Sequence, residues 1–212
     1  SRSGTSGFGP FVACKPHAVA FGRAGACLAM SMFHSNTERL IDYWRSRRGE
    51  ARLPTRMAVD PADFSDIVAQ TFILGRVATG IYPIRLAGAF LGELHQRDLR
   101  QQNALSLFRE RDKLEVKAAL EASRRRPEPL VVTVEVPTDG PSMNMEILFA
   151  PLAGTETSPE RFLGLYQPLN MVSRLRGLPA QEFAVRNLVG MSPANQETPR
   201  LRLATLDGRR IA

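Results

Sequence analysis

Thr71-Phe72-Ile73-Leu74-Gly75-Arg76-Val77-Ala78-Thr79-Gly80-Ile81-Tyr82-Pro83-Ile84-Arg85-Leu86-Ala87-Gly88-Ala89-Phe90-Leu91-Gly92-Glu93-Leu94 is the stretch on which the fold turns. Two short apolar runs meet at Gly80, and the second passes through Gly88 into a helical pattern. The reading is a hairpin, residues 72–77 and 81–87, that feeds a helix. In the second strand Tyr82, Ile84 and Leu86 share one face, and Pro83, which has no N–H for the ladder, puts that end at a sheet edge. A lone hairpin is marginal in water, so more strands must come from elsewhere.

Residues 130–167 supply them. Leu130, Val132, Val134 and Val136 alternate with Val131, Thr133 and Glu135 over 130–137, and Met143, Met145, Ile147 and Phe149 alternate with polar Asn144 and Glu146 over 143–151. A fifth strand is expected over 162–167. Between hairpin and strands lie short helical turns, residues 89–108, broken around Asp98 and 101–103. The clearest helix comes next, residues 109–126, with Val116, Ala119 and Leu120 apolar and Arg124, Arg125 and Arg126 at its negative end.

Upstream, Ser35 and Glu38 have capping-box spacing, and a helix should run to Arg48 with Leu40, Ile41 and Trp44 as its apolar stripe. Gly49 ends it. Asp60 and Pro61 start a shorter helix carrying Phe64, Ile67 and Val68. Residues 1–29, rich in Gly, Ser and Ala, should be a disordered leader, with translation starting at Met30 or Met32. Residues 177–212 should form an irregular, loosely packed tail.

The 212 residues suit one domain with extensions. No apolar run approaches the ~20 residues of a membrane span, and a soluble cytoplasmic protein is expected. Both cysteines, Cys14 and Cys27, lie in the leader, and His17, His34 and His95 have no second ligand at helical spacing, so no metal site is expected. The net charge of +7 invites a nucleic-acid reading. Without Arg2, Lys15 and Arg23 of the leader, however, 25 basic residues stand against 21 acidic. Arg45, Arg47, Arg48, Arg52 and Arg56 make one positive run, and Arg200, Arg202, Arg209 and Arg210 another. One Trp and three Tyr offer little to stack on bases, so a basic nucleic-acid-binding adaptor is the rival reading, resting on charge alone. Catalysis has no support either. Asp112 with Glu115, or Glu121 with Glu128, read as carboxylates on an exposed helix and its exit, beside no histidine.

Tyr43-Trp44, Arg48-Gly49, Leu53-Pro54-Thr55-Arg56, Asp60-Pro61, Phe72-Ile73-Leu74 and Ile84-Arg85-Leu86-Ala87-Gly88 succeed one another in this order. The succession resembles the small single-domain PAS-like proteins of alphaproteobacteria over about residues 36–170. The resemblance implies an α+β fold, a five-stranded antiparallel sheet with helices on one face, plus the N-terminal helix and the tail. It also implies a non-catalytic sensory module that acts through contact with signalling proteins, commonly sensor histidine kinases, with or without a gating ligand. Flavin photoreceptors of this superfamily need a reactive cysteine in the helical region, which this chain lacks. Haem-binding members use an axial histidine, for which His95 is the sole candidate, but a lone histidine reads as a partly exposed surface residue, so no haem or other cofactor is expected.

Alternate strand positions facing the helices make Tyr82, Ile84, Leu86, Phe90, Leu94, Leu105, Phe108, Val132, Val134, Ile147, Phe149 and Leu165 the candidate ligand pocket. The same residues could simply fill the core, which is the default for interiors. Arg85 should point to the opposite face, toward Glu135 or Glu146. Leu40, Ile41 and Trp44 could cover that face or form a homodimer or partner interface; both give the same pattern.

Overall fold

The computed structural model describes residues 32–138, 140–154 and 160–191. The leader and the second arginine run lie outside them. Helix α1 spans Ser35–Arg48, and its N-cap is His34 rather than Ser35. The expected capping box is displaced: His34 Nδ1 accepts from the Asn36 amide at 3.1 Å, and Glu38 reaches back to the Met32 amide at 3.1 Å. Gly49 closes the helix at a φ of 53°, a conformation that glycine adopts without cost. The turn Pro61–Phe64 is capped as read, with Asp60 accepting from the Ala62 amide.

Six strands form one antiparallel sheet: β1 Thr71–Gly75, β2 Ile84–Ala87, β3 Leu130–Val136, β4 Met143–Leu152, β5 Arg161–Pro168 and β6 Ala184–Gly190. Their order is β2-β1-β5-β4-β3-β6. Helices α2, Ala89–His95, and α3, Glu110–Arg125, supply Leu91, Leu94, Val116 and Leu120 to the core on one face. Phe72, Leu74, Val132, Val134, Met145, Ile147, Phe149 and Phe162 meet them from the sheet. The intervening strand positions, Ile73, Val131, Leu148, Ala150, Leu163 and Leu165, point to the other face, where α1 covers them. A two-residue period along β1, β3, β4 and β5 thus feeds two cores through one sheet.

Two expectations change. The tail is not wholly irregular: it supplies β6, paired with β3 from Leu130↔Gly190 to Glu135↔Ala184. Its polar centre, Arg186-Asn187, and a register shift opposite Thr133/Val134 hide the alternation. In β2 the register also slips, because Ile73 faces Leu86 while Leu74 faces Ile84, leaving Arg85 as the bulged residue. The bulge reverses parity, so Leu86 leaves the face of Ile84 and is 46% exposed.

Candidate functional site

The helix-side face gathers most of the predicted pocket residues. Tyr82, Ile84, Leu94, Leu105, Phe108, Val132, Val134, Ile147 and Phe149 belong to one buried cluster, with Phe90 packed against it. Leu86 is lost to the bulge, and Leu165 lies on the opposite face with α1, because it sits an odd number of positions from Phe162 and Tyr166. The aromatic rings interlock. Phe72 meets Phe149 at 5.7 Å and Tyr166 at 5.3 Å between centroids, and Tyr166 and Phe108 both meet Phe183, at 5.6 and 5.7 Å. These edge-to-face contacts occupy the space beneath α2 with side chains.

His95 stands in this aromatic group, 3% exposed, with Phe183 at 5.4 Å and Tyr166 at 6.1 Å. It falls in the stripe Leu91, Leu94, His95, whose spacing in the sequence already marks an inward position. Nδ1 lies 2.8 Å from the Ala180 carbonyl, so Nδ1–H donates and Nε2 keeps its lone pair. Nε2 is buried and has no hydrogen-bond partner. Burial holds the imidazole pKa down to about 4, against the pull of the Ala180 carbonyl.

A second polar group lies at the opposite end of the helix-side core. Glu121 of α3 accepts from Tyr82 Oη at 2.6 Å, Arg76 Nε at 2.9 Å and Arg124 Nε at 3.2 Å. Burial alone would raise its pKa, but the hydrogen bonds from Arg76 and Tyr82 outweigh it and hold the carboxyl at about 2. Burial, then the Glu121 hydrogen bond, pushes the Tyr82 phenol above its ordinary range. Glu121, read from sequence as an exposed helix charge, is thus the post that ties α3 to the hairpin. Arg85 finds neither Glu135 nor Glu146; it donates to Gln101 at 2.8 Å, while Glu146 receives the His34 amide and Glu135 pairs with Arg186.

The α1 stripe is core. Leu40, Ile41 and Trp44 are each 1% exposed, and Trp44 Nε1 donates to the Pro151 carbonyl at 2.7 Å. They cover their own sheet, so the partner or homodimer interface expected of this stripe is withdrawn.

Residues 32–167 match the PAS domain family. The chain belongs to the PAS domain family. A PAS domain is a sensory signalling module, and that is the class of this protein. Among solved structures, a LOV protein of Rhodobacter sphaeroides is similar at 16% identity and a TM-score of 0.38, covering 55% of this chain and 73% of its own. A substituted form of that protein is similar at 17% identity and the same TM-score of 0.38, covering 53% and 71%. No curated protein matches.

The family match of this PAS domain ends at residue 167, so the chain after β5 lies beyond it. That segment crosses the end of α2 as a strap. The Ala180 amide donates to the Leu94 carbonyl at 2.8 Å, Gln96 Nε2 donates to the Gly177 carbonyl at 2.6 Å, and His95 holds Ala180 between them. Phe183 then pairs with the chain around Phe108, and the Val185 amide donates to Asp112. Where the strap begins, Leu169, Met171, Val172 and Leu178 are 42%, 76%, 37% and 51% exposed. Arg174 and Arg176 stand among them, neither with a carboxylate partner among the described residues. Beside them lies a cleft of about 420 Å³ lined by Arg109, Thr138, Leu175, Leu178, Gln181 and Glu182. Among the described residues no His, Cys, Asp and Glu side chains cluster to hold a metal, and no helix is long and apolar enough to cross a membrane.

Proposed function

We propose that this PAS domain is a non-catalytic regulatory module of the bacterial cytoplasm that works by docking to signalling proteins, sensor histidine kinases above all, and that a small ligand gates the docking. The observation that carries the reading is the exposed apolar segment 169–178 with Arg174 and Arg176 beside it. Four exposed apolar side chains in ten residues are costly to leave in water, and together they fit an apolar partner surface with an acidic rim.

Support for gating comes from the way the strap is held. His95 anchors Ala180 through one ring nitrogen, and its other nitrogen is a buried acceptor without a donor. A ligand that reaches this nitrogen as the strap is released, and offers it a donor, removes that penalty and shifts the balance toward the released strap. The strap continues from segment 169–178, so its movement changes the docking surface.

The test is hydrogen exchange on the full chain with and without the purified cytoplasmic parts of the sensor histidine kinases of its own cell. Protection of 169–178 by one of them is expected. Protection confined to other segments overturns the docking surface, and no protection by any of them overturns the partner class. Native mass spectrometry before and after denaturation tests the gate: a small molecule lost on denaturation supports it, and an apo mass from freshly prepared protein argues against it.

A further inference from the structure

The arginine run after Trp44 meets the arginines that end α3. The last turn of α1 and the connector after α3 enclose a second cleft, of about 460 Å³, lined by Trp44, Arg45, Arg48, Pro127, Glu128, Pro129 and Met191. Arg52 donates to the Arg125 carbonyl at 2.5 Å and so draws the arginines after α1 onto those that end α3. Two runs 73 residues apart in the chain become one rim.

Some of these charges are already answered. Arg45 pairs with Asp42 at 3.0 Å, and Arg124 with Glu121 and Glu160. The others are not. Arg48, Arg52, Arg125 and Arg126 are exposed, and none has a carboxylate within salt-bridge distance among the described residues. Arg48 Nε donates to the Ala51 carbonyl and Arg125 Nε to the Glu121 carbonyl, which fixes the bases of the two groups and leaves their remaining N–H donors outward. Of these four, Arg48 lines the cleft, Arg52 is tied to the end of α3 through the Arg125 carbonyl, and Arg126 directly precedes the lining Pro127. The acidic residues nearby are Glu128, which lines the cleft, and Glu50, in the turn after α1. Pro127, Pro129 and Met191 give the cleft an apolar floor.

We propose that this cleft binds a nucleoside polyphosphate, its phosphates on Arg48, Arg52, Arg125 and Arg126 and its base on Pro127, Pro129 and Met191. Guanidinium groups present paired donors that suit phosphate oxygens, and several together recognise a chain of phosphates over a single one. A nucleic-acid strand fits less well. Such surfaces stack bases on exposed aromatic rings, and Trp44, the aromatic residue of this cleft, is buried.

The experiment is calorimetry on the full chain with adenosine and guanosine triphosphates, inorganic tripolyphosphate, orthophosphate and a mixed-sequence single-stranded oligonucleotide. A nucleoside triphosphate is expected to bind with Kd at or below about 1 mM, weakening with salt, and more tightly than tripolyphosphate. The double variant Arg48→Gln, Arg126→Gln should lose about tenfold or more in affinity at an unchanged thermal midpoint, and Arg48→Lys, Arg126→Lys should retain part of it. Absence of binding at millimolar nucleotide, or binding equal in the glutamine variant, overturns the site. Equal affinity for tripolyphosphate overturns the base seat, and tighter, length-dependent binding of the oligonucleotide overturns the small-molecule assignment in favour of nucleic acid.

Discussion

The Phe72 ring occupies the space above Gly164, where a β-carbon would fall 2.0 Å from it. Gly164 lies opposite Phe72 in the β1–β5 pairing, so the absent side chain on one strand is what lets the neighbouring ring lie over the sheet and reach Phe149 and Tyr166. Gly164→Ala should therefore destabilise the domain by about 1–3 kcal/mol, the usual cost of overpacking. Urea unfolding measures it, and an unchanged midpoint would mean that the Phe72 ring yields at no cost.

Trp44→Ala should cost about 3–5 kcal/mol, because it empties the centre of the α1 face. It also leaves the buried Pro151 carbonyl without its donor. The loss should appear in unfolding of the whole domain. A variant that keeps its stability but changes its state of association in sedimentation would return Trp44 to a subunit interface.

Glu121 sets an acid limit. Its carboxyl is held at about 2 in the folded chain, below its ordinary value, so its contribution is present above the unfolded pKa and is lost as pH falls toward about 2. Glu121→Gln should destabilise the protein by about 1.5–3 kcal/mol at neutral pH, the range for a hydrogen bond to a charged group. The gap between wild type and variant should close on acidification. A gap of the same size at pH 7 and pH 3 would show that the carboxylate charge is not what holds Arg76 and Tyr82.

His95 works in an adjacent window. Its folded pKa is lowered to about 4, so the unfolded chain takes up the proton first and stability falls as pH drops from about 6.5 toward about 4. Nitrogen NMR of the ring should find the neutral Nδ1–H tautomer still present at about pH 5. A protonated ring at that pH would place Nε2 in contact with water rather than in the core. His95→Phe should keep the ring contacts yet raise hydrogen exchange at Ala180, where the anchor is lost.

The alternation in β3 and at the start of β4 was legible in the sequence because Thr133, Glu135 and Asn144 keep surface in water between the buried Val132, Val134, Val136, Met143 and Met145. What escaped has identifiable causes. One extra residue at Arg85 inverts the parity of β2, and sequence carries no mark of a bulge. Strand β6 escaped because an edge strand tolerates Arg186 and Asn187 where a central one does not. Glu121 looked like any helix charge, since its partner Arg76 lies 45 residues away. Trp44 presented a stripe that cannot say what it faces; the hydrogen bond to Pro151, 107 residues on, decides it. The second cleft depends on Arg52 meeting Arg125, a contact between segments that spacing does not join.

The chain carries one tryptophan, and it lies under α1, while Tyr82 and Tyr166 lie in the core on the other side of the sheet. The protein thus has an optical reporter for each face. Tryptophan emission tracks the docking of α1, with Tyr43 on the same face, and in a Tyr43→Phe variant the remaining tyrosine emission, from Tyr82 and Tyr166, tracks the helix-side core. Rearrangement of α2 and the strap can then be watched by fluorescence, without a label, separately from the α1 face.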